Sequence, residues 1–194
     1  MPIDIRPDAV NRDGYVRNVM TVWSQATPDQ LGRGMNWYRT ANQLAEMISG
    51  GNVAAGAGVL AALSANKSWG ENVKLATRAF TSGEPSGHVG DAIRKAARIM
   101  SGEAPESVLP MDSKTGHFYR CILDPTDPHA ICIDRHAHDI AVGVRFGNQD
   151  RGLGAAGRYA LLAGIYREAA FLLGTIPQIV QAVTWVVWIE SKGN

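Results

Sequence analysis

The chain is short of cysteine, of net charge and of long apolar runs, and each shortage removes a class of function. Among 194 residues the only cysteines are Cys121 and Cys132, without C-x-x-C spacing. That argues against a four-cysteine iron–sulfur cluster, a cysteine zinc site and a disulfide-stapled secreted fold. A formal net charge of +1 supplies no global basic field for nonspecific nucleic-acid binding, so any such site is a local patch. The start of the chain carries Asp4, Arg6, Asp8, Arg12 and Asp13 and lacks the apolar region of a signal peptide. The apolar stretch near the C-terminus is broken by Pro177, Gln178 and Gln181, which leaves it far short of a membrane span. A reduced, cytoplasmic protein without a membrane partner is the expectation.

Several motifs are missing as well. There is no Walker loop, H-E-x-x-H or G-x-S-x-G element, so NTPase, zincin and α/β-hydrolase chemistry lose their main support. Gly152-Leu153-Gly154-Ala155-Ala156-Gly157 has the letters of a dinucleotide fingerprint, but no strand precedes it. His136 and His138 lie two residues apart, roughly 200° around a helix, and make a poor chelating pair. No metal and no cofactor is expected.

What is present is helical periodicity. Hydrophobic residues make up 45% of the chain, enough for one well-buried core, and alternating β patterns are almost absent. The expectation is an all-α, compact multi-helix single domain over residues 1–194, cut into about eight helices. A first helix is expected over Gly14 to Gln25. Thr27-Pro28-Asp29-Gln30 reads as a capping box for a second helix toward Ile48, ended by Gly50-Gly51. Asn52 to Ala65, rich in small residues, suits a closely packed central helix. Ser68-Trp69-Gly70-Glu71 is a further capping box, and His88 to Ser101 places Val89, Ala92, Ile93, Ala96 and Met100 on one face.

Asp112 or Ser113 is positioned to cap a helix running to Leu123, and Asp124-Pro125-Thr126-Asp127-Pro128 breaks the chain before the apolar run Ala130 to Ile133. Gln149 to Gly154 is expected to be an exposed loop. A closing helical hairpin over residues 155–191 follows, with Thr175-Ile176-Pro177-Gln178 as the capping box of its second helix. Trp185 and Trp188 suit core or a partner-facing stripe, whereas Trp37 and Trp69 are less readily assigned to packing.

Two residues stand out chemically. Lys114 opens one expected helix, where an amine that loses its proton is a nucleophile toward electrophilic carbon. Asp134 emerges from Ile131-Cys132-Ile133 at the start of another, twenty positions later. Taken singly, each has an ordinary explanation: a solvated surface lysine and a helix N-cap. A His136–Asp134 combination is a further candidate for acid–base work.

The segment Leu60 to Phe80, with Leu63-Ser64-Ala65-Asn66 and the later Asn72 and Ala76, resembles the early helix pair of the helix-hairpin-helix DNA glycosylases of the endonuclease III class. Lys114-Thr115, the helix after it, Ile131-Cys132-Ile133 and Asp134-Arg135-His136 resemble that family's catalytic lysine segment and its Val-Asp-x-His segment, in the same order. The resemblance covers roughly residues 55–145. It implies a glycosylase-like fold and DNA as partner, including DNA carrying a modified pyrimidine. Lys114 would be the nucleophile and Asp134 the carboxylate that stabilises a sugar cation or activates the nucleophile. Ser64, Asn66, Trp69, Asn72, Tyr119 and His136 would bind a nucleotide flipped from the stack.

Three features depart from the family. Its Leu-Pro-Gly-x-Gly hairpin is Leu109-Pro110-Met111-Asp112-Ser113 here, the iron–sulfur cysteines are absent, and the arginine a turn after the aspartate is Asp139. These changes imply altered duplex binding. The Lys-x-x-x-Phe-Tyr and Ile-Asp-Arg-His patterns also resemble a phage-type branch that hypermodifies thymine by placing an amine on an activated hydroxymethyluracil. A catalytically silent DNA-binding or protein-interaction module is the alternative of a different class, because fold does not entail function.

Overall fold

The computed structural model describes residues 6–191 and is all-helical over them, with no strand among the described residues. Asp4, part of the charged N-terminal run, lies outside the described residues. A 3-10 turn at Ala9–Asn11 precedes ten helices: α1 Arg12–Ser24, α2 Pro28–Ile48, α3 Val53–Ala62, α4 Trp69–Ser82, α5 Gly90–Met100, α6 Pro105–Val108, α7 Lys114–Leu123, α8 Arg135–Val142, α9 Arg158–Leu173 and α10 Pro177–Glu190. No single helix among the described residues is long and apolar enough to cross a membrane.

The chain divides into two compact units, one continuous (residues 38–125) and one built from both ends (residues 1–37 and 126–194). The division falls inside α2.

In the continuous unit, α3 is central and packs against α4, α5, α6 and α7. Its sequence Val-Ala-Ala-Gly-Ala-Gly-Val-Leu-Ala-Ala has too little side-chain bulk to hold neighbours apart, and Gly56 to Ala62 are all buried. A β-carbon on Gly56 would stand 2.1 Å from the Ala45 carbonyl oxygen of α2, and one on Gly58 2.9 Å from the Pro105 ring of α6. Glycine at these two positions is therefore required by close approach of the chain. Asn52 caps α3 by accepting the Ala55 amide at 3.0 Å.

Both halves of the expected capping box at Ser68 form. The Ser68 hydroxyl accepts the Glu71 amide at 3.3 Å, and the Ser68 amide donates to the Glu71 carboxylate at 3.0 Å. The box at Thr27 forms likewise, with Gln30 N donating to Thr27 Oγ1 at 3.2 Å and Thr27 N to Gln30 Oε1 at 3.0 Å.

In α5 the expected face shifts. Val89 is the N-cap residue and is 65% exposed, while Ile99 joins Ala92 and Ala96 in the core. The four-residue helix α6 has no periodicity to read and was not expected. Ser113 holds the N-cap position of α7 without capping it; its hydroxyl donates to the Pro110 carbonyl at 2.8 Å instead.

The unit built from both chain ends packs α1, α8, α9 and α10 around a core that includes Val19, Ile133, Ile140, Leu162, Ile165, Tyr166 and Val180. The expected capping box at Thr175 does not form. Ile176 is the N-cap residue and makes no side-chain bond, and Gln178 is buried with its amide donating to the Asp127 carbonyl at 3.1 Å. Tertiary burial has claimed the side chain that a local cap would use. The loop at Gln149–Gly154 is exposed only in part, because Arg151 turns inward: its side chain retains 11% exposure and pairs with Asp139.

Candidate functional site

In the continuous unit, the expected nucleotide-binding residues fall on the α3–α4 turn, on α4 and on α7. Ser64 donates its hydroxyl to the Ala61 carbonyl at 2.9 Å. Asn66 is exposed and has φ of 55°, a left-handed conformation that asparagine tolerates better than most residues. His88 Nε2 lies 2.9 Å from the Ala65 carbonyl and braces that turn.

Trp69 begins α4 and meets Phe118 edge to face at 6.4 Å, and Tyr38 meets the same phenylalanine at 6.4 Å. Lys114, exposed at the first position of α7, is one turn before Phe118 and so shares its helix face. The turn before Lys114 is packed tightly beneath the helix, since a β-carbon on Gly116 would lie 2.3 Å from Met111 Cα.

Asn72 and Tyr119 point inward. Asn72 is 2% exposed, on the α4 stripe shared with Ala76 and Ala79, and its Oδ1 has no hydrogen-bond partner among the described residues. Tyr119 is 1% exposed and donates its hydroxyl to Glu106 at 2.5 Å. Burial, aided by the Glu106 carboxylate, pushes the Tyr119 phenol well above its ordinary pKa. The structure places this side chain in the core, where its bond joins α7 to α6.

Asp134 belongs to the other unit. It is the N-cap of α8, with Oδ1 accepting the amides of His136 at 3.0 Å and Ala137 at 2.8 Å. Both bonds fall on one oxygen, so Oδ2 carries no hydrogen bond among the described residues. The half-buried His136 ring lies 6.5 Å from Trp185, and Trp185 lies 6.0 Å from Trp37. Lys114 and Asp134 therefore sit in different units, each at the mouth of its own helix.

The chain belongs to the family of unknown function DUF7178. That family's model matches residues 1–192. No curated protein and no solved structure matches the chain.

Three groups in this DUF7178 chain escaped the sequence reading. Tyr159 of α9 accepts the Ile133 amide at 2.9 Å and donates to the Ile131 carbonyl at 3.2 Å, so one hydroxyl grips the backbone just before Asp134. Tyr166, two turns further along α9, donates to the Ala137 carbonyl at 3.0 Å. Burial, together with the charges of Asp134 and Asp139, holds the Tyr166 phenol far above its ordinary pKa, which keeps it a donor. The seven-residue spacing of these tyrosines was the available signal.

The second group is Asp139, which is 3% exposed. It accepts from His138 Nδ1 at 2.9 Å, Arg151 Nε at 2.7 Å and the Phe146 amide at 3.2 Å. Burial by itself would raise its pKa, but the bonds from His138, Arg151 and Phe146 outweigh that and bring it down to about 2. The third group is the pair Trp37 and Trp185, which lie far apart in sequence and meet only in the folded unit. Among the described residues no group of three or more histidine, cysteine or acidic side chains could hold a metal ion.

Proposed function

We propose that this protein is a DNA base-processing enzyme with glycosylase-like chemistry, in which Lys114 supplies the amine and Asp134 the carboxylate. The observation that carries this reading is the placement of Asp134. Two amide bonds and the Tyr159 grip on the preceding backbone fix the side chain, and among the described residues both amide bonds fall on one carboxylate oxygen and none on the other. A carboxylate held in this way is preorganised to meet positive charge on a sugar. Lys114 is exposed at a helix start, which leaves its amine accessible to a substrate.

In the proposed reaction the neutral Lys114 amine forms a bond to C1′ of the target nucleotide. The N-glycosidic bond breaks, and the base leaves with the electron pair and is protonated. Asp134 stabilises the cationic sugar during the exchange, and loss of the amine proton with opening of the sugar ring yields an imine. Trp69 and Asn66 would contact the nucleotide, DNA is the partner, and the cytoplasm is the proposed site of action.

Incubation with oligonucleotides carrying damaged or modified bases, followed by borohydride reduction, tests the assignment. A covalent adduct is expected, and it should be lost in Lys114→Ala. Binding without any adduct would move the chemistry to the second reading, and neither binding nor adduct on any oligonucleotide would overturn the enzyme.

That second reading is an amine transferase acting on activated hydroxymethyluracil in DNA. An amine bonds to the base methylene carbon, pyrophosphate leaves with the C–O electron pair, and the amine loses a proton. It is favoured by the exposed Asp112, an acid that the sequence resemblance aligns with the hairpin by which the glycosylase family grips a duplex phosphate.

A further inference from the structure

Both nitrogens of the His88 ring, just before α5 in the continuous unit, are committed, and their partners fix which one carries the proton. Nε2 lies 2.9 Å from the Ala65 carbonyl oxygen, and the Val89 amide donates to Nδ1 at 2.7 Å. A carbonyl oxygen only accepts, so Nε2 bears the hydrogen; a backbone amide only donates, so Nδ1 offers its lone pair. The ring in this arrangement is neutral and in the Nε2–H form.

The bond to Ala65 crosses 23 positions of sequence. Among the described residues it is the one hydrogen bond between the α3–α4 turn, residues 64–68, and the segment 83–89 that leads into α5. The turn it holds includes Asn66 at φ of 55°, a left-handed conformation that costs a non-glycine residue free energy. The segment is tied to α4 at its other end, where Arg78 donates to the Ser86 carbonyl at 3.0 Å and the Ser82 hydroxyl to the Glu84 carbonyl at 2.9 Å. Helix α5 has no side-chain cap, and the amide of its N-cap residue, Val89, has the His88 ring as its partner.

A second proton on the ring would go to Nδ1 and set one N–H against another. The charged ring cannot keep its orientation, and turning it away carries Nε2 from Ala65, so a single proton breaks both bonds. The charged groups on the elements that meet here are Lys67 in the turn, Glu71, Lys74 and Arg78 on α4, Glu84 in the segment and Asp91 on α5. Glu71 is spent on the Ser68 capping box, and Asp91 on Arg94 and Lys95. Among the described residues no acid pairs with His88, so the protonated ring gains no ion pair where it stands to offset the two lost bonds.

We propose that His88 is a proton-operated latch: its neutral ring ties the α3–α4 turn, which carries Ser64 and Asn66, to the start of α5, and protonation at Nδ1 releases both. The device is independent of the DNA reading above. It works in the range where histidine side chains change charge, about pH 8 to 5. At the upper end the turn is held; at the lower end the turn and the residues before α5 move separately.

Nitrogen-15 NMR of the unaltered protein tests the latch. At about pH 8 the His88 ring should be a single Nε2–H tautomer. As pH is lowered to about 5, backbone order parameters at residues 65–67 and 88–89 should fall from about 0.85 to below about 0.6, with the same midpoint as the titration of the His88 ring. His88→Ala should give the low values at both ends of the range and abolish the pH dependence at these residues, which separates the latch from the other four histidines. If His88→Ala fails to fold, the tautomer and the shared midpoint in the unaltered protein carry the test. An Nδ1–H or mixed ring at the upper end overturns the proposal, as does a turn that stays rigid once the ring is charged or in the folded His88→Ala variant.

Discussion

The continuous unit, residues 38–125, is assembled by smallness, whereas the unit built from both chain ends is assembled by specific polar bonds within an aliphatic core. In the first, a β-carbon on Gly56 would strike the Ala45 backbone and one on Gly58 the Pro105 ring. In the second, the hydroxyls of Tyr159 and Tyr166, the Asp139 carboxylate and the Arg151 guanidinium join segments 12 to 29 positions apart in sequence. The two modes fail differently. Close packing is broken by added volume and a polar network by one lost partner, so substitutions can separate them.

The largest effect is expected from Asp139→Ala. It leaves the mostly buried Arg151 guanidinium and the fully buried His138 ring without their shared acceptor, and loss of one partner from a buried pair costs about 3 kcal/mol or more. Urea unfolding with an unchanged slope would read this directly. A loss below about 1 kcal/mol would mean that the network behaves like a surface pair.

Next comes Gly56→Ala, expected to cost about 2 kcal/mol because the backbone carbonyl of Ala45 cannot move aside as a side-chain tip would. Gly70→Ala is the matching control. Nothing lies within 4 Å of a β-carbon at Gly70, so gain of helix propensity should stabilise by about 0.5 kcal/mol. If both substitutions proved neutral, close approach at α3 would not be what holds the continuous unit.

Acid should act on the other unit through Asp139. Its carboxyl pKa is lowered from an ordinary 3.8 to about 2, so the folded state favours the ionised form. That contribution is complete above about pH 5, shrinks as pH falls through 3.8 and is lost below about 2, and is worth about 2 kcal/mol. The acid dependence of unfolding should flatten over this window in Asp139→Asn.

The smallest loss of stability is expected from Tyr159→Phe, which removes two backbone bonds and should cost about 1 kcal/mol. Faster hydrogen exchange at the Ile133 amide would locate the loss, and protection equal to that of the unaltered protein would show that the hydroxyl is dispensable.

Much of the fold was legible where one short segment contains everything a structure needs. The boxes at Thr27 and Ser68 close over three residues and form as read. Asn52 to Ala65 announced a crowded helix by its small side chains, and the Asp124–Pro128 breaker stands where expected. The box at Thr175 failed because Gln178 found a distant carbonyl at Asp127. Arg151 read as exposed because its partner Asp139 is twelve positions away. Of the candidate site, Lys114 and Asp134 were legible as residues opening helices. The burial of Asn72 and Tyr119, and the meeting of His136 with Trp37 and Trp185, depend on which helices pack together.

By itself, the sequence determined that this protein is helical, where most helices begin and end, and which two helix mouths carry an amine and a carboxylate. Periodicity, caps and breakers act within a few residues of each other, and those interactions survive in any tertiary setting that does not compete for the same groups. Only the tertiary structure decided which polar side chains are spent on packing and which stay available. That choice is made by partners brought close from distant positions: Tyr159 behind Asp134, Arg151 on Asp139, and Trp185 between Trp37 and His136.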